Sequence, residues 1–291
     1  MLPTVLEEAL APYLDGPLRS CMPVGGGCIA HASRIETDAS RYFLKWAKHP
    51  IGDAFLAEAD GLDLLRAAGS SLVIPQVLAV KAPDPIVPGF LLLEWIDSGV
   101  MTDAFWEKLG RGLAALHRNL ADSYGADTDN FIGQLPQHNT RTERWPDFFR
   151  NCRLEPQVKL ARERNLWQAS WDKPLAILYS RLNDLLPERP EASLLHGDLW
   201  SGNIMVTSAG MAALIDPAAY YGHRETDLAM SELFGGFQRR FYSAYNEAWP
   251  LDPAYSDRRD VYNLYHLLNH LNHFGPGYAG SVVSILRRFA R

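Results

Sequence analysis

The sequence predicts an α+β protein in two lobes: a small, mainly antiparallel β lobe over residues 1–97 and a larger, mainly helical lobe over 98–291. Three observations carry this. Short runs of strand-like composition, bounded by Gly, Pro, Asp and Ser, crowd into the first part of the chain at 22–36, 41–46, 72–80 and 89–96. Beyond residue 101 the apolar residues recur instead at three- and four-residue spacing, as on buried helices. An apolar lead-in, Leu194-Leu195, then delivers His196, Gly197 and Asp198 to a polar loop.

Composition narrows the class. At 291 residues and 47% hydrophobic content the chain can build a sizeable core. No apolar run approaches the roughly 18 residues needed to cross a bilayer, and the start of the chain, with Glu7 and Glu8, lacks a basic signal region, so a cytoplasmic protein is expected. A net charge of −6 argues against nucleic acid or an anionic membrane as partner, since either needs a basic face. Cys21, Cys28 and Cys152 form neither a disulfide framework nor a zinc spacing. Oligomeric state is left between monomer and homodimer.

In chain order, Val5, Leu6, Ala9 and Leu10 form one side of a short helix that ends near Pro12 and Gly16 and packs on the outside of the first lobe. Residues 22–36 and 41–46 make a hairpin about the turn 37–40, with Gly25, Gly26 and Gly27 at its mouth, where backbone amides can approach phosphates. Lys45 stands in the strand after the glycines, where a kinase places the cation that holds the α- and β-phosphates. Its alternative is a snorkelling surface lysine. Residues 54–68 read as a helix capped by Asp53 and ended by Gly69, with Phe55, Ala59, Leu62 and Leu65 on one face and Glu58 beside them as the carboxylate for Lys45. If exposed, that pair adds little stability and serves to aim the lysine. Strands at 72–80 and 89–96 complete a sheet of about five, and residues 94–99 leave it as a connector, making the backbone of Glu94, Trp95 and Ile96 candidates for adenine hydrogen bonds.

The second lobe opens with a helix over 102–120 that buries Phe105, Leu109, Leu113, Leu116 and Leu120, with His117 in its core or boundary. A polar loop over 122–142 is long enough to be a binding loop. Helices follow at 145–164 and 172–187, then at 226–234 and 237–249. Asp227 either anchors the loop at 196–203 from below or serves as an acid favoured by its helix dipole. His266, His270 and His273 align on one face of a last helix; a metal site there is disfavoured, and polar contacts to a substrate or a neighbouring loop are preferred.

The chemistry concentrates at residues 194–217. Asn203 follows Asp198 by five residues, and a short hairpin then presents a second carboxylate, Asp216. Phosphoryl transfer from ATP needs a group to orient the attacking hydroxyl and oxygen ligands for Mg2+. Asp198 suits the first task, while Asn203 and Asp216 suit the second without filling the coordination sphere. The protein-kinase catalytic loop has His, Asp and Asn at the same offsets. Gly197 in place of its Arg, and Asp216-Pro217-Ala218 in place of Asp-Phe-Gly, point to small-molecule kinases of the same protein-kinase-like fold.

On the runs 196–203, 216–225 and 233–237, supported by residues 25–29, 93–95 and 265–272, the chain resembles the fructosamine kinase (ketosamine-3-kinase) family over nearly its whole length. The wider aminoglycoside phosphotransferase and choline kinase group shares the His, Asp, Asn and later Asp but commonly has His-Pro where this chain has Trp200-Ser201. The resemblance implies ATP-dependent phosphorylation of the 3-hydroxyl of a small or protein-bound ketosamine, after which the adduct falls off and the amine is repaired. Carried over by position, it makes Asp198, His196, Lys45 and Glu58 the catalytic set, with Asp198 as base. Asn203 and Asp216 bind Mg2+, Gly25, Gly26, Gly27 and Lys45 hold phosphates, and Trp200, Tyr221, His223 and Arg224 are substrate candidates. Trp200 either offers an apolar face to the sugar or amine or packs in the core. Cys28, beside the glycines, is either inert or redox-active if its thiolate is stabilised. The competing readings are a kinase for another small alcohol, of aminoglycoside or choline type, and a non-catalytic nucleotide-binding protein.

Overall fold

The computed structural model describes residues 2–25, 30–47 and 53–290. The first lobe is a five-stranded antiparallel sheet in the order β1-β2-β3-β5-β4, from β1 (Ser20–Pro23), β2 (His31–Glu36), β3 (Arg41–Ala47), β4 (Val77–Lys81) and β5 (Gly89–Glu94). Helix α1 (Thr4–Leu10) seals its outer face, where Leu2, Leu6 and Leu10 pack on Ile35, Leu44, Trp46, Phe90 and Leu92. The inner face receives α2 (Ala54–Ala67), whose Phe55, Ala59, Leu62 and Leu65 are buried as the spacing predicts. Asp53 occupies the N-cap position of α2, but its side chain makes no capping bond.

Two strand expectations change. The segment 22–36 belongs to two strands rather than one, β1 and β2 pairing antiparallel, and Gly25 lies just beyond the end of β1. Residues 72–74 do not join the first sheet, because Pro75 interrupts the run and only Val77 to Lys81 pair with β5. Val73 instead bridges Ala213 of the second lobe, donating to Ala212 O and accepting from Leu214 N at 2.8 and 3.0 Å.

In the second lobe α3 (Asp103–His117) starts at Thr102, whose hydroxyl accepts from Phe105 N, and packs on α8 (Arg239–Ala248). Gly110 permits that approach, since a Cβ there would lie 2.4 Å from Phe241 O. The helix stops earlier than its periodicity implies: Leu120 is 53% exposed and begins β6 (Leu120–Ala121). Strands β9 (Ala192–Leu195) and β12 (Tyr220–Gly222) pair with each other, and β9 also pairs β6, forming a three-stranded sheet beneath the loop at 196–203. The 122–142 loop contains a hairpin, β7 (Asn130–Ile132) and β8 (Leu135–Gln137). The helical run at 145–163 comprises α4 (Trp145–Phe148), a π-helical turn (Phe149–Leu154) and α5 (Glu155–Glu163). It is followed by α6 (Asp172–Leu185), hairpin β10 (Ile204–Val206) with β11 (Ala212–Leu214), then α7 (Glu225–Leu233), α9 (Tyr255–Phe274) and α10 (Ala279–Phe289). One core runs through both lobes: Leu62, Leu91 and Leu93 belong to the same cluster as Leu113, Leu194 and Leu214. No helix among the described residues is long and apolar enough to cross a membrane.

Candidate active site

A cleft between the lobes collects Lys45 and Glu58 from above, Asp198, Trp200, Asn203, Asp216 and Pro217 from below, Asn130 to Gly133 from the β7–β8 hairpin, and Asn269, His270, His273 and Phe274 from α9. Lys45 Nζ lies 2.7 Å from both Glu58 Oε1 and Asp216 Oδ1. The Lys45 and Glu58 side chains are only 13% and 15% exposed, so this is a shielded ion pair and not the surface pair whose contribution would be small. Burial opposes the charge on Lys45, but the two carboxylates outweigh it and its pKa is raised. Burial and the nearby Asp216 push Glu58 up in spite of Lys45.

The lower wall is held from behind. His196 N and Gly197 N donate to the two oxygens of Asp227 at 2.8 and 2.9 Å, and His117 Nε2 sits 3.2 Å from Asp227 Oδ2. Burial works against the Asp227 charge, but its bond to His117 and the Gly197 amide outweigh that cost and its pKa is lowered. Asp227 is therefore the anchor of the loop as well as an early residue of α7. Gly197 has φ +83°, and a Cβ on it would lie 2.0 Å from Ala218 O. Only glycine fits there, which explains why a protein-kinase arginine is absent.

His196 is fully buried, and both ring nitrogens are occupied: Nε2 donates to Ile215 O at 2.9 Å while Nδ1 accepts from Asp198 N at 3.3 Å. Burial lowers its pKa, so it is neutral. It ties the 196–203 loop to the segment entering Asp216 and cannot touch a substrate, which corrects its placement in the catalytic set. Asn203 Nδ2 donates to Asp198 O at 2.9 Å and to Asp198 Oδ2 at 3.0 Å. Asp198 is half-buried in the cleft floor, and its pKa is raised to about 7, chiefly by burial, with Asp216 and Asp227 adding to the rise against the Asn203 bond. Asp216 has φ +55°, a conformation Asp tolerates better than most residues.

Other sequence candidates fall differently. Trp200 is 40% exposed and lines the cleft, lying across Gly202, where a Cβ would meet the indole at 2.3 Å; it is not a core residue. Tyr221, His223 and Arg224 do not line the cleft, and this corrects their assignment to substrate. Tyr221 pairs through its backbone with Gly125, His223 Nδ1 bonds Tyr262 OH at 2.7 Å, and Arg224 is spent on Tyr245 OH and the Trp249 and Pro250 carbonyls. Glu94 N already donates to Gln76 O at 3.0 Å, which removes that amide from the adenine candidates; Trp95 and Ile96 follow it into the connector. Gly25 is exposed at the start of the glycine connection, whereas Gly26, Gly27 and Cys28 lie outside the described residues. His266 is buried, apart from His270 and His273 in the cleft wall, and no group of three His, Cys, Asp or Glu among the described residues is arranged to hold a metal.

The hairpin residues Asn130 to Gly133 and Phe274 were not individually legible as site residues. The only signals were the length of the 122–142 loop and the aligned histidines on α9.

The arrangement provides a carboxylate that titrates near neutrality, two oxygen donors beside it, and a cation fixed between carboxylates. Residues 9–291 match the model of the fructosamine kinase family. A protein of Synechocystis sp. described as a probable ketoamine kinase is 39% identical over 92% of this chain and 89% of its own length. The chloroplastic protein-ribulosamine 3-kinase of Arabidopsis thaliana is 38% identical over 92% of this chain and 82% of its own. Among solved structures, a candidate fructosamine-3-kinase from Thermobifida fusca superposes with a TM-score of 0.87 at 32% identity, covering 97% of this chain and 98% of that one. An aminoglycoside phosphotransferase solved with AMP-PNP and hygromycin B, at 16% identity and a TM-score of 0.65 over 98% of this chain and 97% of its own, shares the fold.

Proposed function

The chain belongs to the fructosamine kinase family, and we propose that it is an ATP-dependent kinase phosphorylating the 3-hydroxyl of ketosamines, with Asp198 as the base. The observation that carries this is the placement of Asp198, with its raised pKa, in a cleft whose opposite wall holds Lys45. A base with a pKa near the working pH combines a large deprotonated fraction with real proton affinity. Asn203 holds the Asp198 carboxylate in one orientation through Nδ2, and Trp200 offers the acceptor an apolar face.

The donor set fits Mg2+. Asn203 uses its amide nitrogen on Asp198, leaving its oxygen, and Asp216 presents a carboxylate 43% exposed to the cleft; two hard oxygens suit an ion that keeps water and phosphate ligands. Bound there, Mg2+ would neutralise charge on the phosphates. Lys45, released from Asp216 to the α- and β-phosphates, adds a second positive charge, and Glu58 keeps it aimed. As the hydroxyl proton passes to Asp198, the acceptor oxygen bonds the γ-phosphorus and the bond to the β-phosphate oxygen breaks, releasing ADP.

The test is a substrate panel with phosphorus NMR of the product. ATP consumption should depend on added ribulosamine or fructosamine and yield a 3-phosphate. Faster turnover of choline, a simple sugar or an aminoglycoside than of any ketosamine would replace the substrate assignment.

A further inference from the structure

The β7–β8 hairpin forms one wall of the cleft and is held from two sides. On the inner side Asn130 Nδ2 donates to Ala219 O at 2.9 Å, and Gln137 Nε2 donates to Asn130 Oδ1 at 2.9 Å and to Ala218 O at 3.0 Å. Tyr265 OH donates to Gln137 Oε1 at 2.7 Å, and Asn139 Nδ2 to Asn130 Oδ1 at 2.9 Å. These groups are buried, and a satisfied buried network is stiff. The two backbone carbonyls belong to the segment just after Asp216, so the hairpin and that carboxylate share one frame.

On the outer side, among the described residues, one side chain hydrogen-bonds the turn. Gln134 N donates to His273 Nε2 at 3.0 Å, while His273 Nδ1 lies 3.0 Å from Asn269 O. A carbonyl can only accept, so the proton is on Nδ1 and Nε2 is the acceptor. Gly133 opens the two-residue turn with φ +61°, and a Cβ there would lie 2.7 Å from His273 Nε2. Ile132 and Gly133, the residues held by this contact, face the cleft together with His273 itself.

We propose that His273 is a positioning residue for the acceptor: by accepting the Gln134 amide it holds the hairpin turn against the cleft and sets where the ketosamine lies relative to Asp198. This rests on the reading that the acceptor occupies this part of the cleft. Reacting groups are sensitive to misplacement of about 1 Å, and without this bond the hydrogen bonds that remain to the hairpin from elsewhere among the described residues are those on its inner side.

His273→Leu removes the acceptor at similar bulk. It should lower kcat/KM for the ketosamine roughly 10- to 100-fold, chiefly through KM, with KM for ATP little changed, and should speed exchange of the Gln134 amide. His273→Gln, whose Oε1 can accept the same bond, should recover most of both losses. Gly133→Ala, which drives a methyl into the His273 ring, should reproduce the effect from the other partner and serves if the leucine variant does not fold. An unchanged ketosamine KM in the leucine and alanine variants overturns the proposal, as does a loss shared equally with ATP that glutamine does not rescue. A wild-type protein inert toward every ketosamine overturns the substrate reading instead, and the dependence of Gln134 exchange on His273 then decides the fastening alone.

Discussion

At Asp198 burial competes with hydrogen bonding, and burial prevails, raising the pKa to about 7. The base works only when deprotonated, so kcat/KM should rise with pH and level off above about 7; a profile flat from pH 5 to 8 would exclude Asp198 as that base. Asp198→Asn should lose roughly 10²-fold or more in kcat while still binding ATP, measured by steady-state kinetics beside nucleotide titration. The same shift has a stability consequence of known sign. A folded pKa above the unfolded one means the folded state holds the extra proton, so stability falls as pH rises from about 4 through 7. Asp198→Asn should therefore melt above wild type at pH 8, and the difference should shrink toward pH 4. The residue types of this site were legible because phosphoryl transfer demands them at fixed offsets. The exclusion of His196 was not, because only packing shows that both its nitrogens face protein.

Among the elements, the 196–203 loop owes its shape to α7 beneath it. Asp227 binds two consecutive loop amides and His117 of α3, so Asp227→Ala leaves buried donors without an acceptor. The expected cost is on the order of 3 kcal/mol, read by denaturant melts, with kcat falling further than the stability loss accounts for; full turnover in a folded variant would remove the anchoring role. Periodicity identified α2, α3 and α8 because each buries one stripe, whereas α9 is buried on every side from Val261 to Asn269. It overran α3 to Leu120, since a leucine at the right spacing looks the same whether it is packed or begins the next strand. It also merged β1 with β2 and placed 72–74 in the first sheet, because an apolar run carries no record of its pairing partner. Tyr221, His223 and Arg224 form a distinctive run, yet they distinguish this chain through interior bonds and not through contact with the cleft.

For the molecule as a whole, a core continuous between the lobes keeps Lys45 and Glu58 in register with Asp198 and Asp216. Nucleotide and metal that bind only the folded state should stabilise it by about 2.7 kcal/mol at a hundredfold excess over Kd. A thermal shift with ATP and Mg2+ that EDTA diminishes, together with loss of turnover in EDTA, would support the assignment of Asn203 and Asp216; activity unaffected by chelation would refute it. The sequence by itself determined the fold class and the pairing of Lys45 with Glu58, and it singled out Asp198 for the role of base proposed above, because these depend on residue chemistry at short spacings and on hydrophobic period. Only the tertiary structure decided that Trp200 faces the cleft, that Tyr221, His223 and Arg224 do not, and that a hairpin near residue 132 meets a helix near residue 273 at the wall of the site. Those facts depend on contacts between segments as many as 139 residues apart, and no local pattern encodes which distant backbone amide a histidine will receive.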